Sequence, residues 1–192
     1  RLLDIPIQDR RKLQEIISLQ AQDLFVSGAG NMVLDGVPLS GGKAVVVGVD
    51  RDELDAQLKA LNDNGIGASW AAPAMLSKDR LLRRLKQNES VSALIDGDSI
   101  TVVRDGQPCF FKHLDSVEDL QLSVCALEAD GINVEKFYSA GTNGFAEKAG
   151  IEAEKAPSGM EHPSLLAVAL HYRDGLKGGV NFLERHADPK AE

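Results

Sequence analysis

The stretch from Val91 to Lys112 constrains the fold more than any other part of the chain. Its sequence, VSALIDGDSITVVRDGQPCFFK, contains three short apolar runs that are separated by two turn signals. Gly97-Asp98 allows a positive φ at the first turn, and Asp105-Gly106 is a strong hairpin dipeptide at the second. Two consecutive hairpins of this kind predict a three-stranded antiparallel meander.

The first turn of this meander concentrates polar groups. Asp96 and Gly97 end the first strand, and Ser99 and Thr101 lie just beyond the turn. A carboxylate, a glycine and two hydroxyls at one bend can hold phosphate, or a metal bound to phosphate, through the backbone N–H groups. The same residues also suit an ordinary hairpin turn, so the local chemistry leaves both interpretations open.

Composition and charge exclude several classes of protein. The 192 residues carry a net charge of −8, and the 43% of apolar residues is typical of a globular protein. No basic stripe is present to neutralise phosphates, which argues against nucleic acid as the main partner. We expect a cytoplasmic chain without a signal peptide or a membrane span. Because Cys109 and Cys125 lie in apolar patterns, we expect buried, reduced thiols, with a disulfide as the alternative.

The rest of the chain alternates between strand and helix signals. Residues 1–88 predict the order β-α-β-β-α-β-α, in which Asp50 or Asp52 caps the second helix and Ile66–Trp70 forms a brief strand. After the meander, Ser116 is expected to cap a helix from Val117 to Ala129. A strand at Val134–Ser139, a short helix and a final helix opened by His162-Pro163 complete the pattern.

A second candidate site lies in the passage FYSAGTNGFAEKAG, from Phe137 to Gly150. A glycine that follows a strand and precedes a helix lets a ligand approach the backbone and meet the helix N-terminus. The passage is not a dinucleotide fingerprint, and the chain has no Walker lysine motif. A tight turn explains the same residues. None of the four histidines is spaced for zinc with the cysteines, so we predict no metal site. No serine or cysteine lies in a G-x-S-x-G context, and we predict no catalytic residue.

The one dense positive segment of the chain runs from Lys78 to Lys86. Helical spacing would direct Leu81, Leu82 and Leu85 to the core and leave the basic side chains outside. We interpret this segment as a solvated helix face, with a docking surface for an acidic partner as the alternative.

Five stretches, taken in order, resemble the actin-like ATPase superfamily, and within it the PilM/GspL family of type IV pilus and type II secretion proteins. The stretches are LLDIPIQDRRKLQEIISLQAQDLF, AVVVGVDRDELDAQLKALNDNGI, ALIDGDSITVVRDGQPCFF, INVEKFYSAGTNGFAEKAG and HPSLLAVALHYRDGLKGGVNFL. The third is similar to the family's second phosphate hairpin, and the fourth to its adenosine-loop strand and helix.

The resemblance implies an α/β fold with a truncated actin-like (ribonuclease H-like) core. It implies two small subdomains with mixed sheets, residues 1–88 and residues 89–192, of which the second carries degenerate nucleotide-binding loops and a five-stranded sheet. Bound ATP would contact the following residues of the hairpin and the adenosine loop: Asp96, Gly97, Ser99, Thr101, Gly141 and Thr142.

Differences from the family pattern argue against ATP hydrolysis. The second phosphate loop usually reads like D-x-G-x-x-x-T, whereas here it is reduced to Asp96-Gly97-Asp98-Ser99, and Gly141 lacks an adjacent glycine. The family's first phosphate hairpin would lie upstream of Leu2. Because the sequence begins at Arg1, without a methionine and inside a predicted strand, we expect it to be a fragment of a longer protein. We therefore expect a protein that requires no cofactor, with ATP and magnesium as the alternative.

The resemblance implies an interaction scaffold. We expect a cytoplasmic domain, peripheral to or tethered at the bacterial inner membrane, that docks an assembly ATPase and other platform proteins of a type IV pilus or type II secretion system. A homodimer is a further partner that the resemblance allows. The alternative is a nucleotide-binding enzyme, either an actin-like ATPase or a relative of sugar kinases. The sequence does not distinguish a pilus from a secretion system.

Overall fold

The computed structural model describes residues 2–24, 30–85, 90–140, 144–157, 162–175 and 179–186. The chain divides into two compact units, Arg1–Ala72 with Gly178–Glu192, and Pro73–Lys177. The strands are β1 (Leu2–Asp4), β2 (Met32–Leu39), β3 (Lys43–Asp50), β4 (Val91–Asp96), β5 (Ser99–Arg104), β6 (Gln107–His113), β7 (Lys136–Ala140) and β8 (Glu154–Lys155). The α-helices are α1 (Arg10–Leu24), α2 (Arg51–Asp63), α3 (Asp79–Arg84), α4 (Val117–Ala129), α5 (Phe145–Lys148), α6 (Pro163–Arg173) and α7 (Phe182–His186). Short 3-10 helices lie at Ser40–Gly42 and Ala74–Ser77.

The first unit contains a three-stranded antiparallel sheet in the order β1-β3-β2. Strand β3 is the central strand, and its apolar run Ala44–Val47 is buried. Leu13 and Ile17 lie one helical turn apart on α1 and pack against Ala44 and Val46. The predicted cap of α2 is confirmed, because the Asp50 carboxylate accepts hydrogen bonds from the first turn of that helix.

A buried carboxylate connects remote segments of the first unit. Asp35 on β2 is fully buried and accepts hydrogen bonds from the side chains of Arg10 and Gln14 on α1. The same carboxylate also accepts a hydrogen bond from the backbone N–H of Asn181, with an N···O distance of 2.8 Å. Since a buried carboxylate is tolerated only when it is well hydrogen-bonded, these donors fix where α1 and residue 181 lie against β2.

Residues 179–186 return to the first unit, which the sequence did not predict. The indole N–H of Trp70 donates to the Val180 carbonyl at 2.8 Å, and the Phe182 N–H donates to the Ala71 carbonyl at 2.8 Å. Val180 and Phe182 are themselves buried. A single boundary near residue 88 therefore does not describe the grouping of the chain in the structure.

The second unit contains a five-stranded mixed sheet in the order β6-β5-β4-β7-β8. Strands β4, β5 and β6 form the predicted antiparallel meander, and β7 runs parallel to both β4 and β8. Alternate residues of β4 face opposite sides, so that Ala93 and Ile95 pack with α4 and α5 whereas Leu94 packs with α3 and α6. The helices thus cover both faces of this sheet.

Residues 73–85 belong to the second unit in the structure. Leu81 and Leu82 of α3 are buried against Leu94, Tyr138 and Leu170. Because this apolar contact draws α3 onto the sheet of the second unit, the division falls between Ala72 and Pro73.

Two local expectations are wrong. Ile66–Trp70 forms no strand; Ile66 is exposed between Gly65 and Gly67, and no strand of the described residues pairs with this segment. Cys125 is exposed, because it lies on the face of α4 away from the buried Leu120, and Cys109 is only half-buried. In the described part of the chain, neither cysteine forms a disulfide. Among the helices of the described ranges, none has both the length and the apolar character needed to cross a membrane.

Gly36 permits the close approach of α1 to β2, which generates a prediction. A Cβ at this position would lie 2.4 Å from Cδ1 of Ile17 and 3.1 Å from the carbonyl oxygen of Val45. We expect Gly36→Ala to reduce the free energy of unfolding by about 1–3 kcal/mol, because an extra methyl overpacks the contact. Urea denaturation measures this change.

The matched control for this substitution is Gly67→Ala, since a Cβ at Gly67 has no heavy atom within 4 Å. We expect this control to leave the urea midpoint almost unchanged. In an Ile17→Val background, which removes Cδ1, Gly36→Ala should cost less than in the wild type. An equal cost in both backgrounds would show that the contact with Ile17 does not cause the effect.

Candidate functional site at the first hairpin turn

The turn between β4 and β5 has the predicted geometry. Asp96 pairs with Ser99 across the strands, and Gly97 has a φ of 53°. This left-handed conformation favours glycine, which explains why the turn contains one. The second turn of the meander is also confirmed, with positive φ at both Asp105 and Gly106, as a type I′ hairpin requires.

A lysine that the sequence analysis assigned to solvent lies at this turn. The ammonium of Lys78 is 2.8 Å from Oδ2 of Asp96 and donates a hydrogen bond of 2.7 Å to Oγ of Ser99. The side chains of Lys78 and Asp96 are only 4% and 13% exposed. The Ser99 hydroxyl in turn donates to the backbone carbonyl of Asp96 at 3.1 Å. The three side chains therefore form one compact polar cluster.

Helix α6 contributes a further donor to the cluster. Ser164, in the first turn of this helix, donates from Oγ to Oδ2 of Asp96 at 3.3 Å. Pro163 precedes it at the first helical position, where the ring costs no hydrogen bond. One carboxylate oxygen thus connects the hairpin, the segment before α3 and the start of α6.

The segment that carries Lys78 is held against the sheet by two other polar contacts. The Thr101 hydroxyl on β5 donates to the carbonyl of Met75 at 3.4 Å. Oγ of Ser77 lies 3.2 Å from Nδ1 of His171 on α6, and both side chains are buried. These contacts fix the backbone from which the Lys78 side chain extends.

Burial, together with the positive charge of Arg80, lowers the pKa of His171 below the ordinary value of 6.5. The negative charges of Asp79 and Asp174 act in the opposite direction and are smaller influences. Because the neutral imidazole is favoured, the folded second unit resists protonation of this side chain.

The basic segment from Lys78 to Lys86 is a solvated helix face only in part of its described range, because Arg83 and Arg84 are exposed and Lys78 is not. Lys78 is buried, Arg80 pairs with Asp174 at 2.8 Å, and Arg83 pairs with Asp79. The expected burial of Leu81 and Leu82 is confirmed. The spacing of Lys78 to these two leucines is the signal that could have predicted its burial. A residue three or four positions before two core leucines lies on the same helix face as they do.

A small cavity lies beside the turn, at the carboxyl ends of the parallel strands β4 and β7. It has a volume of about 100 Å³. Its lining comprises Ile95, Gly97, Ser139, Ala140, Gly144, Phe145, Ala146 and Glu147. Ligands of α/β proteins often bind at this edge of a sheet, but pockets for small molecules usually measure about 300–1,000 Å³. The predicted adenosine-loop residues Gly141 and Thr142 lie outside the described residues.

The hairpin residues, as the structure places them, do not fit a magnesium–phosphate group. The Asp96 carboxylate and the Ser99 hydroxyl already bond the Lys78 ammonium, and the Thr101 hydroxyl bonds the Met75 carbonyl. A divalent cation at Asp96 would meet the positive charge of Lys78 within hydrogen-bond distance. Within the described ranges, no group of three or more His, Cys, Asp or Glu side chains is arranged to hold a metal ion.

No protein-family model matches the chain, and no curated protein sequence matches it either. Solved structures that are similar to the chain include the following two. One is the cytoplasmic domain of EpsL, an inner membrane component of the type II secretion system of Vibrio cholerae, with 19% identity and a TM-score of 0.60, covering 95% of this chain and 71% of that chain. The other is a protein from Bacteroides thetaiotaomicron with an actin-like ATPase fold and unknown function, with 10% identity and a TM-score of 0.56, covering 88% of this chain and 69% of that chain.

The chain has an actin-like fold. The likeness to both structures extends over most of its length, and the mixed α/β arrangement with two sheets agrees with a truncated actin-like core. The predicted fold class is therefore confirmed. At these levels of sequence identity the likeness concerns the fold, and a shared fold does not carry a shared activity.

The buried His171 generates a prediction about pH. Below pH 6.5 an unfolded histidine binds a proton that the folded protein disfavours, so the free energy of unfolding should fall as the pH decreases. The slope attributable to one such group is at most about 1.4 kcal/mol per pH unit. We expect His171→Gln to weaken the pH dependence of the urea midpoint between pH 7.5 and 5.5.

The matched control for this measurement is Ser77→Ala. It removes the hydroxyl beside Nδ1 but retains the buried imidazole. This variant should be less stable than the wild type and should keep its pH dependence. If His171→Gln and the wild type lose stability equally on acidification, His171 is not the group responsible.

Proposed function

We propose that this chain is a noncatalytic scaffold domain of a bacterial type II secretion or type IV pilus inner-membrane platform. The observation that carries the proposal is the likeness of 95% of the chain to the cytoplasmic domain of EpsL. In this role the domain lies at the cytoplasmic face of the inner membrane and docks an assembly ATPase and other platform proteins. A homodimer is compatible with the same role.

The geometry of the hairpin turn supports a noncatalytic role. An actin-like ATPase needs oxygens at its phosphate hairpin that are accessible to a metal and to phosphate. In this chain Asp96 is 13% exposed and contacts Lys78 and Ser164, and the buried Ser99 contacts Lys78. Protein–protein contact requires none of these groups to react, so the closed turn suits a domain that acts by binding.

The second candidate function is nucleotide binding by an actin-like enzyme. The cavity between Gly97 and the start of α5 favours this alternative, because it lies where a ligand would meet both the turn and the carboxyl ends of β4 and β7. The two candidates differ in whether a nucleotide stabilises the folded protein.

We predict that magnesium and ATP do not stabilise this chain and that it hydrolyses ATP no faster than the uncatalysed background. A nucleotide that binds the folded state at 100 times its Kd would add about 2.7 kcal/mol to the free energy of unfolding. Differential scanning fluorimetry with and without ATP, at constant magnesium, detects such a change. Magnesium-dependent phosphate release that Asp96→Ala abolishes would favour the enzyme.

We also predict direct binding to components of one platform. The purified chain should bind the assembly ATPase or another platform protein of its own source organism, measured by isothermal titration calorimetry. The secretion and pilus components are tested in parallel, so that binding to one set identifies the system. Absence of binding to both sets, by a chain with an intact melting transition, would contradict the scaffold proposal.

A further inference from the structure

The structure assigns Lys78 a role that extends beyond the scaffold proposal and does not depend on it. We propose that the Lys78 ammonium is a built-in cation of the first hairpin turn, which takes the place of a metal ion and keeps the turn closed to metal–phosphate ligands. The juxtaposition of a buried ammonium with the Asp96 carboxylate and the Ser99 hydroxyl carries this inference.

The atoms around the ammonium are those that a hard divalent cation prefers. Oδ2 of Asp96 and Oγ of Ser99 lie 2.8 and 2.7 Å from Nζ of Lys78. Carboxylate and other oxygen ligands are the usual donors to magnesium and calcium. A lysine ammonium is a compact point charge with three hydrogen-bond donors, so it can satisfy the same oxygens without a bound ion.

Burial distinguishes this pair from an ordinary surface ion pair. Lys78 and Asp96 lose most of their contact with water, and two buried charges persist only when each compensates the other. By contrast, the pair between Lys112 and Asp119 in the same unit has a lysine side chain that is 41% exposed. Water can replace the lysine of the exposed pair, whereas the turn depends on a resident positive charge.

The backbone around Lys78 holds the ammonium in place. Met75 is bonded by the Thr101 hydroxyl, Ser77 contacts His171, and Leu81 is buried one helical turn beyond Lys78. These contacts support the backbone on both sides of Lys78, and the side chain itself is only 4% exposed. A metal ion would therefore have to compete with a charge that is attached to the fold.

The experiment replaces Lys78 and tests whether a divalent metal ion restores the thermal stability that the substitution removes. Lys78→Ala should lower the melting temperature in sodium chloride, and millimolar calcium or magnesium chloride should raise it again by on the order of 5 °C at matched ionic strength. The wild type should show no such rise. Lys78→Ala combined with Asp96→Asn should also show none, because the carboxylate that would hold the ion is absent.

Lys112→Ala is the matched control, since it removes an exposed lysine from an ion pair in the same unit. If divalent ions raise the melting temperature of this control as much as that of Lys78→Ala, the effect is nonspecific and the inference fails. The inference also fails if Lys78→Ala folds and does not respond to calcium or magnesium, because Lys78 is then only an ion-pair partner.

Lys78→Gln provides a second variant if the alanine variant does not fold in sodium chloride. It removes the charge while retaining most of the side-chain length, and recovery of folded protein in calcium chloride but not in sodium chloride supports the inference. Failure of both variants to recover with either divalent ion overturns it. These measurements use no nucleotide and no partner, so their failure is distinguishable from failure of the scaffold proposal.

Discussion

The buried ion pair between Lys78 and Asp96 determines how the second unit closes. It joins the segment before α3 to the end of β4, and Ser164 extends the same contact to α6. Loss of one partner from such a pair typically costs about 3–5 kcal/mol, although replacement of both by apolar groups is often neutral. The main effect of the pair is therefore to specify where these three elements meet. Its contribution to net stability is smaller.

A buried carboxylate also fixes the arrangement of elements in the first unit. Asp35 is fully buried and accepts donors from Arg10 on α1 and from the backbone of residue 181. Each unit thus contains an inward-facing carboxylate on a strand, and its donors come from segments distant in sequence. An apolar core alone tolerates small shifts between elements, whereas a buried charge accepts only the arrangement that satisfies it.

Local chemistry explains which parts of the fold were predictable from the sequence. The meander, its two turns and the Asp50 cap depend on residues that are neighbours in the chain, and each was predicted correctly. The burial of Lys78 depends on Asp96, 18 positions away, and the return of residue 181 depends on Asp35. A pattern rule assigns a lysine to solvent unless its partner is known, so the central residue of the candidate site was missed.

The difference between a bound ion and a tethered ammonium matters for what an actin-like fold can do. A metal ion leaves and returns with its nucleotide, so a turn that depends on the metal changes with the ligand state. An ammonium attached to the chain has a high effective concentration at the turn and does not exchange with the solution. A turn occupied by Lys78 therefore stays in one conformation whatever the ionic composition around it. Such constancy would suit the proposed scaffold role, in which a domain presents one unchanging surface to its partners.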